Sequence, residues 1–224
     1  MGERHLADGE RRAVAAAVAD DLRIVAADLS ERDLSDDDLE AAAKLTRSLR
    51  ECLDGPRRTR WYEGDPMDLA EVDQFAYLDQ SPIRGRLNPI APPMTIERVE
   101  GEDGRLWVEG RARLGSAYEG PPHGVHGGWV AALFDELLGM AQSLAEKKGV
   151  TATLKIRYRD ITPIDEDLRF RGWIERDRGR SIVVRGTCHA GDTLTADAEG
   201  VFVRMDANEM QERVKERRLP RSMR

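Results

Sequence analysis

The first sixty residues repeat apolar side chains at helical spacing. Five of them recur at steps of three and four positions: Val14, Val18, Leu22, Val25 and Leu29. This spacing predicts a helix over residues 10–29. Ser35 and the three aspartates after it predict a second helix over residues 36–53, since a serine caps a helix start and acidic side chains suit its positive end. We expect a helical hairpin whose simplest role is packing or oligomerisation.

Proline and glycine are frequent in the next stretch, residues 55–93, which holds six of the ten prolines of the chain. So long an irregular connection is typical of a linker or a functional loop. Its aromatic residues indicate that it lies against another surface: Trp61, Tyr62, Phe75 and Tyr77. We therefore expect four parts: a helical extension (1–54), an irregular connecting segment (55–93), a folded domain (94–206) and a charged tail (207–224).

Beyond residue 94 the apolar residues alternate, as they do in strands. Strands are predicted over residues 94–100, 105–113, 151–159, 167–176, 181–190 and 193–205, with a long helix over 127–147. Glycine-containing turn signals separate the strands, for example Glu102-Asp103-Gly104. Two strands, a helix and four strands predict an α+β fold, in which an antiparallel sheet packs on one helix.

The helix predicted over residues 127–147 is apolar on nearly every side. Between Gly127 and Ala145 its charged residues are Asp135 and Glu136. A helix that is apolar all round is normally buried, so we expect the sheet to wrap around it. A buried carboxylate needs a partner or a function. Helical-wheel positions do not choose between the two carboxylates, and a narrow solvent-exposed stripe holding both is the alternative.

Two glycines, Gly127 and Gly128, open this helix directly after His126. Glycines at a helix start let a ligand approach bare backbone N–H groups, which favour an anion or a developing oxyanion. A tight turn would explain the paired glycines equally well.

Composition narrows the class of protein. The chain has 224 residues, 40% apolar and 34% charged, with a formal net charge of −7, which is not the overall charge of a nucleic-acid-binding protein. Two cysteines and four histidines without ligand spacing predict neither a disulfide framework nor a metal site. The chain shows no signal peptide and no membrane span, so we expect a soluble cytoplasmic protein with no membrane or nucleic-acid partner.

The segment from His126 to Asp135 resembles the hotdog-fold acyl-CoA thioesterases of the PaaI-like, 4-hydroxybenzoyl-CoA thioesterase type. That family carries His-Gly-Gly with an acidic residue nine positions after the histidine, as here. Residues 84–93, 118–122 and 151–158 also look like segments of that family. The resemblance implies a hotdog fold, in which a curved antiparallel sheet wraps a long central helix. It also implies hydrolysis of acyl-CoA thioesters without a metal or prosthetic group, CoA being part of the substrate.

The resemblance also implies catalytic roles by motif position. Asp135 would be the general base or nucleophile, and the Gly128 N–H, with that of Gly127, would polarise the thioester carbonyl. Thr151 would hydrogen-bond the attacking water or the carboxylate, and His126 would shape the helix start.

Substrate contacts are implied for Arg157, Arg159 and Arg180, which would meet the phosphates or pantetheine of CoA; a solvated strand face is the alternative for this basic group. Trp129 stands where the family usually carries a small residue. It would fill part of the acyl tunnel or narrow its entrance.

A homodimer, or a dimer of dimers, is expected on the family's pattern and on geometry. Gly128 and Asp135 are seven residues apart, roughly 10 Å along a helix. A thioester carbon must lie about 3 Å from both the oxyanion donors and the attacking group. If both residues act, they therefore come from different subunits.

Two functions are alternatives to an acyl-CoA thioesterase. One is a non-catalytic acyl-CoA or hydrophobic-ligand binding protein of the same fold, and the other is a structural protein that uses its helical hairpin to hold a partner.

Overall fold

The computed structural model describes residues 7–56, 78–145 and 149–204. The chain divides into two compact units, Met1–Ile90 and Ala91–Arg224. The four aromatic residues expected to anchor the connecting segment lie outside the described residues, as does the tail over 207–224.

The first unit contains the two predicted helices, α1 over Asp8–Glu31 and α2 over Asp36–Cys52. The predicted cap of α2 is confirmed, because the Ser35 hydroxyl oxygen accepts the backbone N–H of Asp38 at 3.2 Å. The second helix buries none of its side chains, so the pair is not a tightly packed hairpin.

Arginines of α1 hold the turns that follow residue 78 in the first unit. The Arg12 guanidinium forms two hydrogen bonds to the Asp79 carboxylate, at 2.6 and 2.8 Å. Arg23 donates to the backbone carbonyl of Asn88 at 2.7 Å and pairs with Asp20 at 2.6 Å. Among the described residues of this unit, these polar contacts join α1 to the turns over residues 79–88.

The second unit is a six-stranded antiparallel sheet and one long helix. The strands are β1 Thr95–Glu100, β2 Leu106–Arg113, β3 Gly149–Tyr158, β4 Asp167–Asp177, β5 Ser181–Ala190 and β6 Thr193–Arg204. The helix α3 spans Gly127–Gln142 and lies between β2 and β3 in the chain. The predicted α+β class and the order of its elements are confirmed.

The sheet has the strand order β1-β2-β4-β5-β6-β3, so β1 and β3 form its two edges. Alternate residues of each strand point toward α3, and we call this the inner face and the opposite side the outer face. The glycine-containing turns are where the pattern predicted them, and Gly104 and Gly179 adopt φ values of +75° and +71°, a conformation that side chains with a Cβ disfavour.

The core of this unit lies between α3 and the inner face. Its largest fully buried side chains include Phe134, Leu133, Leu137 and Leu138 of α3, with Phe170 and Leu168 of β4, Ile182 and Val184 of β5, and Phe202 of β6. The Phe134 and Phe170 rings meet edge to face, with centroids 5.5 Å apart.

Small residues let α3 lie close to the sheet. A Cβ atom at Gly172 would stand 3.2 Å from the Cβ of Ala141, and one at Gly186 would stand 3.0 Å from a methyl of Leu138. These two glycines are direct cross-strand partners on β4 and β5. A larger residue at either position would push the helix away from the sheet.

The helix ends earlier than predicted, at Gln142 instead of residue 147. Its last turn tightens, because the N–H groups of Ser143 and Leu144 bond to carbonyls only three residues back, at 3.1 Å. The buried Gln142 side chain then accepts the N–H of Gly149 at 2.9 Å and holds the start of β3.

Candidate active site

The start of α3 is built around His126. Its side chain caps the helix, with Nδ1 accepting the N–H of Gly128 at 3.0 Å. Its own N–H donates to the carbonyl of Tyr118 at 2.8 Å, which fixes the incoming loop. Gly120 supports this turn by lacking a side chain, since a Cβ there would lie 2.6 Å from the Cα of His126. His126 thus lies at the helix start, as predicted from the motif.

The Gly128 N–H therefore already has an acceptor in this structure. The sequence suggested that this group would be open to a ligand, and the neighbouring imidazole takes it instead. Both Gly128 and His126 are exposed, so a ligand oxygen that replaced the imidazole would not disturb the core.

Tyr158, at the end of β3, contacts the helix start from the other side. Its hydroxyl donates to the carbonyl of Gly127 at 2.8 Å. The hydroxyl oxygen and the ring carbon that carries it lie 3.2 Å from where a Cβ at Gly127 would stand. The alternating pattern predicted Tyr158 as part of a strand but did not predict this contact, because it depends on how the end of β3 meets the start of α3.

An open groove of about 440 Å³ runs beside this contact. Its lining combines apolar and polar groups: Pro121, Val125, Gly127, Val130, Tyr158, Arg159, Asp160, Ile161 and Thr162. The groove is thus directly beside the first turn of α3, where backbone dipoles favour negative charge.

Further along the helix, Asp135 lies opposite Thr151 of β3. The Thr151 hydroxyl donates to Oδ1 of Asp135 at 3.1 Å. Thr151 belongs to the inner face of β3, since it is the cross-strand partner of the buried Phe202. The structure thus brings together two residues that lie sixteen positions apart in the sequence.

Asp135 is exposed in the chain, which corrects the expectation of a helix buried on all sides. The buried residues of α3 form one stripe against the sheet: Val130, Leu133, Phe134, Leu137, Leu138, Ala141 and Gln142. Asp135 lies outside this stripe, on the flank of α3 that meets β3, and Glu136 is half-buried. The helix is not buried on all sides because the single sheet covers one side of it. Burial of the other side would need a second surface.

Comparison with known proteins agrees with this architecture. A family model described as the thioesterase superfamily matches residues 123–196, from the loop before α3 into β6. The crystal structure of a thioesterase superfamily protein is 30% identical to this chain, with 84% of this chain and 90% of the other covered and a TM-score of 0.70. The chain belongs to the thioesterase superfamily. The predicted hotdog fold is therefore confirmed; the assignment to the PaaI-like branch stays a prediction.

A curated relative of this thioesterase superfamily protein is human acyl-coenzyme A thioesterase THEM5. The two are 30% identical over 97 residues, which make up 42% of this chain and 39% of the human protein. The chain thus matches well under half the length of that relative.

Of the three arginines predicted to contact substrate in this thioesterase superfamily protein, two lie together and one does not. Arg157 and Arg159 both approach the Asp197 carboxylate of β6, at 3.7 and 2.5 Å. Arg180 lies in the turn between β4 and β5, where its carbonyl accepts the N–H of Arg204 at 3.0 Å. Arg204 is the partner of Gly149 at the far end of β3, so roughly 25 Å of strand separates Arg180 from Arg157.

Trp129, the residue that departs from the family pattern, packs edge-on against Tyr118 with ring centroids 5.0 Å apart. Both residues flank the His126 cap, so the indole occupies space at the start of α3. Its predicted effect on an acyl tunnel stays a prediction.

Cys188 lies buried on β5 of the same unit. Burial raises the pKa of its thiol to about 11, a rise that a hydrogen bond with Thr195 partly offsets. The thiol is therefore protonated at neutral pH and suits a core residue better than a nucleophile. Within the described ranges, none of the helices is long and apolar enough to cross a membrane.

Proposed function

We propose that this protein is an acyl-CoA thioesterase, which hydrolyses a thioester to a free acid and CoA. The observation that carries the proposal is the Asp135 carboxylate, which accepts a hydrogen bond from Thr151 on the exposed side of α3 in a thioesterase superfamily domain. A second copy that covered this side of α3 would bury the carboxylate, and attack on a thioester would give a buried carboxylate a function.

In the proposed reaction Asp135 acts as a general base or as a nucleophile. As a base, it takes a proton from a water molecule whose oxygen attacks the thioester carbon. The carbon–sulfur bond then breaks, and the sulfur leaves as a thiolate that takes up a proton. As a nucleophile, the carboxylate itself attacks the thioester carbon, the carbon–sulfur bond breaks as the thiolate leaves and takes up a proton, and water hydrolyses the resulting anhydride. Either route uses only the chain's own groups and water.

The oxyanion that forms during attack would receive backbone N–H groups at the start of α3. Gly128 is the proposed donor, with Gly127 beside it. Because His126 accepts the Gly128 N–H here, the substrate carbonyl would replace the imidazole as the acceptor. We expect the His126 side chain to keep the start of α3 in shape and to rotate away when the substrate binds.

The proposal requires a second copy of the chain. The donors and Asp135 are roughly 10 Å apart along one helix, too far for one thioester carbon to reach both. Two features favour pairing through β3: it is an edge strand of the described sheet, and Asp135 beside it is uncovered. An open strand edge is a ready template for another strand. A homodimer across this edge would cover the carboxylate and place the partner's helix start near it.

Thiol release from a panel of acyl-CoA thioesters tests the chemistry. We expect turnover by the wild type and its loss in Asp135→Asn, which keeps the shape and removes the base. Glu136→Gln is the matched control, because it changes the neighbouring carboxylate that the sequence could not distinguish from Asp135. Turnover that survives Asp135→Asn, or a native mass measurement that finds monomers in the active sample, would reject the proposal.

Mixed dimers test the shared site. Asp135→Ala and Gly128→Pro chains would each be inactive alone, since a proline has no backbone N–H to donate, and circular dichroism checks that each variant keeps its fold. A dimer of one chain of each kind regains one intact site of two. If refolded mixtures stay as inactive as either parent, the donors and the carboxylate do not come from different subunits.

A non-catalytic ligand-binding protein is the second candidate, and the occupied Gly128 N–H favours it. In that case acyl-CoA would bind without release of thiol, and Asp135→Asn would leave the affinity unchanged. The cytoplasmic location and the absence of nucleic-acid or membrane partners stay predictions.

A further inference from the structure

Charges on the outer face of the sheet lie in cross-strand rows, and one of these rows alternates in sign. Lys155 of β3 faces Glu199 of β6, which faces Arg185 of β5. Arg185 and Glu199 form an ion pair at 3.1 Å. Opposite charges in direct cross-strand positions stabilise a sheet, so this side of the outer face is electrostatically balanced.

Another row brings positive charges together. Arg111 of β2 lies directly opposite Arg169 of β4, which lies directly opposite His189 of β5. Among the residues that the structure describes, no carboxylate forms an ion pair with Arg111, Arg169 or the nearby Arg171. Like charges in direct cross-strand positions are destabilising, and an anion bound between them would remove that repulsion.

These three arginines line a groove of about 280 Å³, together with Thr187 and His189. We call it the arginine groove. One carboxylate, that of Glu109, belongs to its lining, and it accepts the indole N–H of Trp107 at 2.9 Å. The lining therefore carries three permanent positive charges against one negative charge.

The guanidinium groups are held at the groove by their surroundings. Arg169 donates to the carbonyl of Gly191 at 2.6 Å, and Arg171 lies over the Trp107 ring at 4.1 Å from its centroid. Guanidinium groups bind phosphate oxygens in a fork, and fixing them beforehand reduces the entropy lost on binding.

A larger hollow of about 670 Å³ adjoins the arginine groove and shares Arg171 with it. Trp107 and Trp173 line this hollow. Aromatic faces beside a basic groove are suited to a stacked nucleobase next to its phosphates.

We propose that the arginine groove binds a polyphosphate group, either inorganic or carried by a nucleotide. The groove opens on the outer face, whereas Asp135 and the start of α3 lie on the inner side of the same sheet. The inference therefore concerns a second site and does not depend on the proposed thioesterase activity.

Isothermal titration calorimetry of the full chain tests the site with three probes: inorganic triphosphate, ATP and adenosine. We expect triphosphate and ATP to bind and adenosine not to bind. Tighter binding of ATP would assign the nucleotide as the source of the phosphates, and equal binding would assign the polyphosphate alone. Failure of both triphosphate and ATP to bind the wild type would overturn the proposal.

Variants locate the binding. Arg169→Gln and Arg111→Gln should each weaken triphosphate binding about tenfold or more, because each removes a charged hydrogen-bond donor. Arg185→Gln is the matched control, since Arg185 lies on the same face but is paired with Glu199. Without ligand, Arg111→Gln should melt no lower than the wild type because it relieves the repulsion from Arg169, whereas Arg169→Gln also loses the hydrogen bond to the Gly191 carbonyl. Unchanged binding in both groove variants, or equal weakening in the control, would overturn the assignment.

Discussion

Replacing Thr151 with valine tests how much the hydrogen bond to Asp135 matters. The substitution keeps the shape and the branching of the side chain and removes the hydroxyl that donates to Oδ1 at 3.1 Å. A hydrogen bond to a charged group is worth about 1.5–3 kcal/mol when shielded from water. Both residues are exposed in the single chain, for which the lower end of this energy range applies. In the proposed homodimer a second copy would cover them, and the upper end would apply. At about 1.4 kcal/mol for each factor of ten, kcat/KM should fall between about 10-fold and 100-fold.

Stability should respond differently from activity. Because Thr151 is exposed, the free energy of unfolding of the protomer should change by no more than about 0.5 kcal/mol. Loss of activity at nearly constant stability is the signature of a positioning role.

The assay is the loss of thioester absorbance, which avoids reagents that would also react with the exposed Cys52. Thr153→Val is the control, since Thr153 is an exposed residue of the same strand and its cross-strand partner is Val201, not the buried Phe202. We expect the control to keep its kcat/KM. Wild-type activity in Thr151→Val, or an equal loss in both variants, would refute the reasoning.

Other parts of the structure give four further predictions. Phe134→Ala empties a fully buried site and should lower the free energy of unfolding by about 3–5 kcal/mol in urea titrations; a loss below about 1 kcal/mol would contradict the core assignment. Tyr158→Phe removes the hydrogen bond to the Gly127 carbonyl and should weaken substrate binding, seen as a higher KM, while circular dichroism shows an unchanged fold. In native protein a thiol reagent should modify the exposed Cys52 rapidly and the buried Cys188 only on unfolding. Since burial raises the pKa of Cys188 from 9.0 to about 11, its stabilising contribution is complete below pH 9 and is lost as the pH rises through 11, so stability curves of Cys188→Ala should lack that part of the alkaline decline.

Local patterns of the sequence predicted much of this fold. The alternation of apolar residues, the glycine turns and the Ser35 cap depend on neighbours within a few positions, and the structure has the strands and turns where these patterns put them. Asp135 and Thr151 were named together from the resemblance to the family, and the structure joins them by a hydrogen bond. Their catalytic roles stay predictions.

Contacts between distant elements could not be predicted in this way. The imidazole of His126 on the Gly128 N–H and the Tyr158 hydroxyl on the Gly127 carbonyl depend on how a loop and a strand end meet a helix. The end of α3 was misplaced because the buried Gln142 side chain closes it, and that contact is to a residue of the next strand.

Composition alone determined that α3 has a strongly apolar surface, and the tertiary structure decided which side of it is covered. One sheet can cover one stripe of a helix, so Asp135 stays exposed in the chain while its neighbour Glu136 is half-buried. The tertiary structure also decided the arginine groove. Its residues are ordinary charged positions in three separate strands, and only the register of those strands brings like charges together. Apolar periodicity is a local property of the chain, whereas burial and electrostatic balance depend on every surface that meets it.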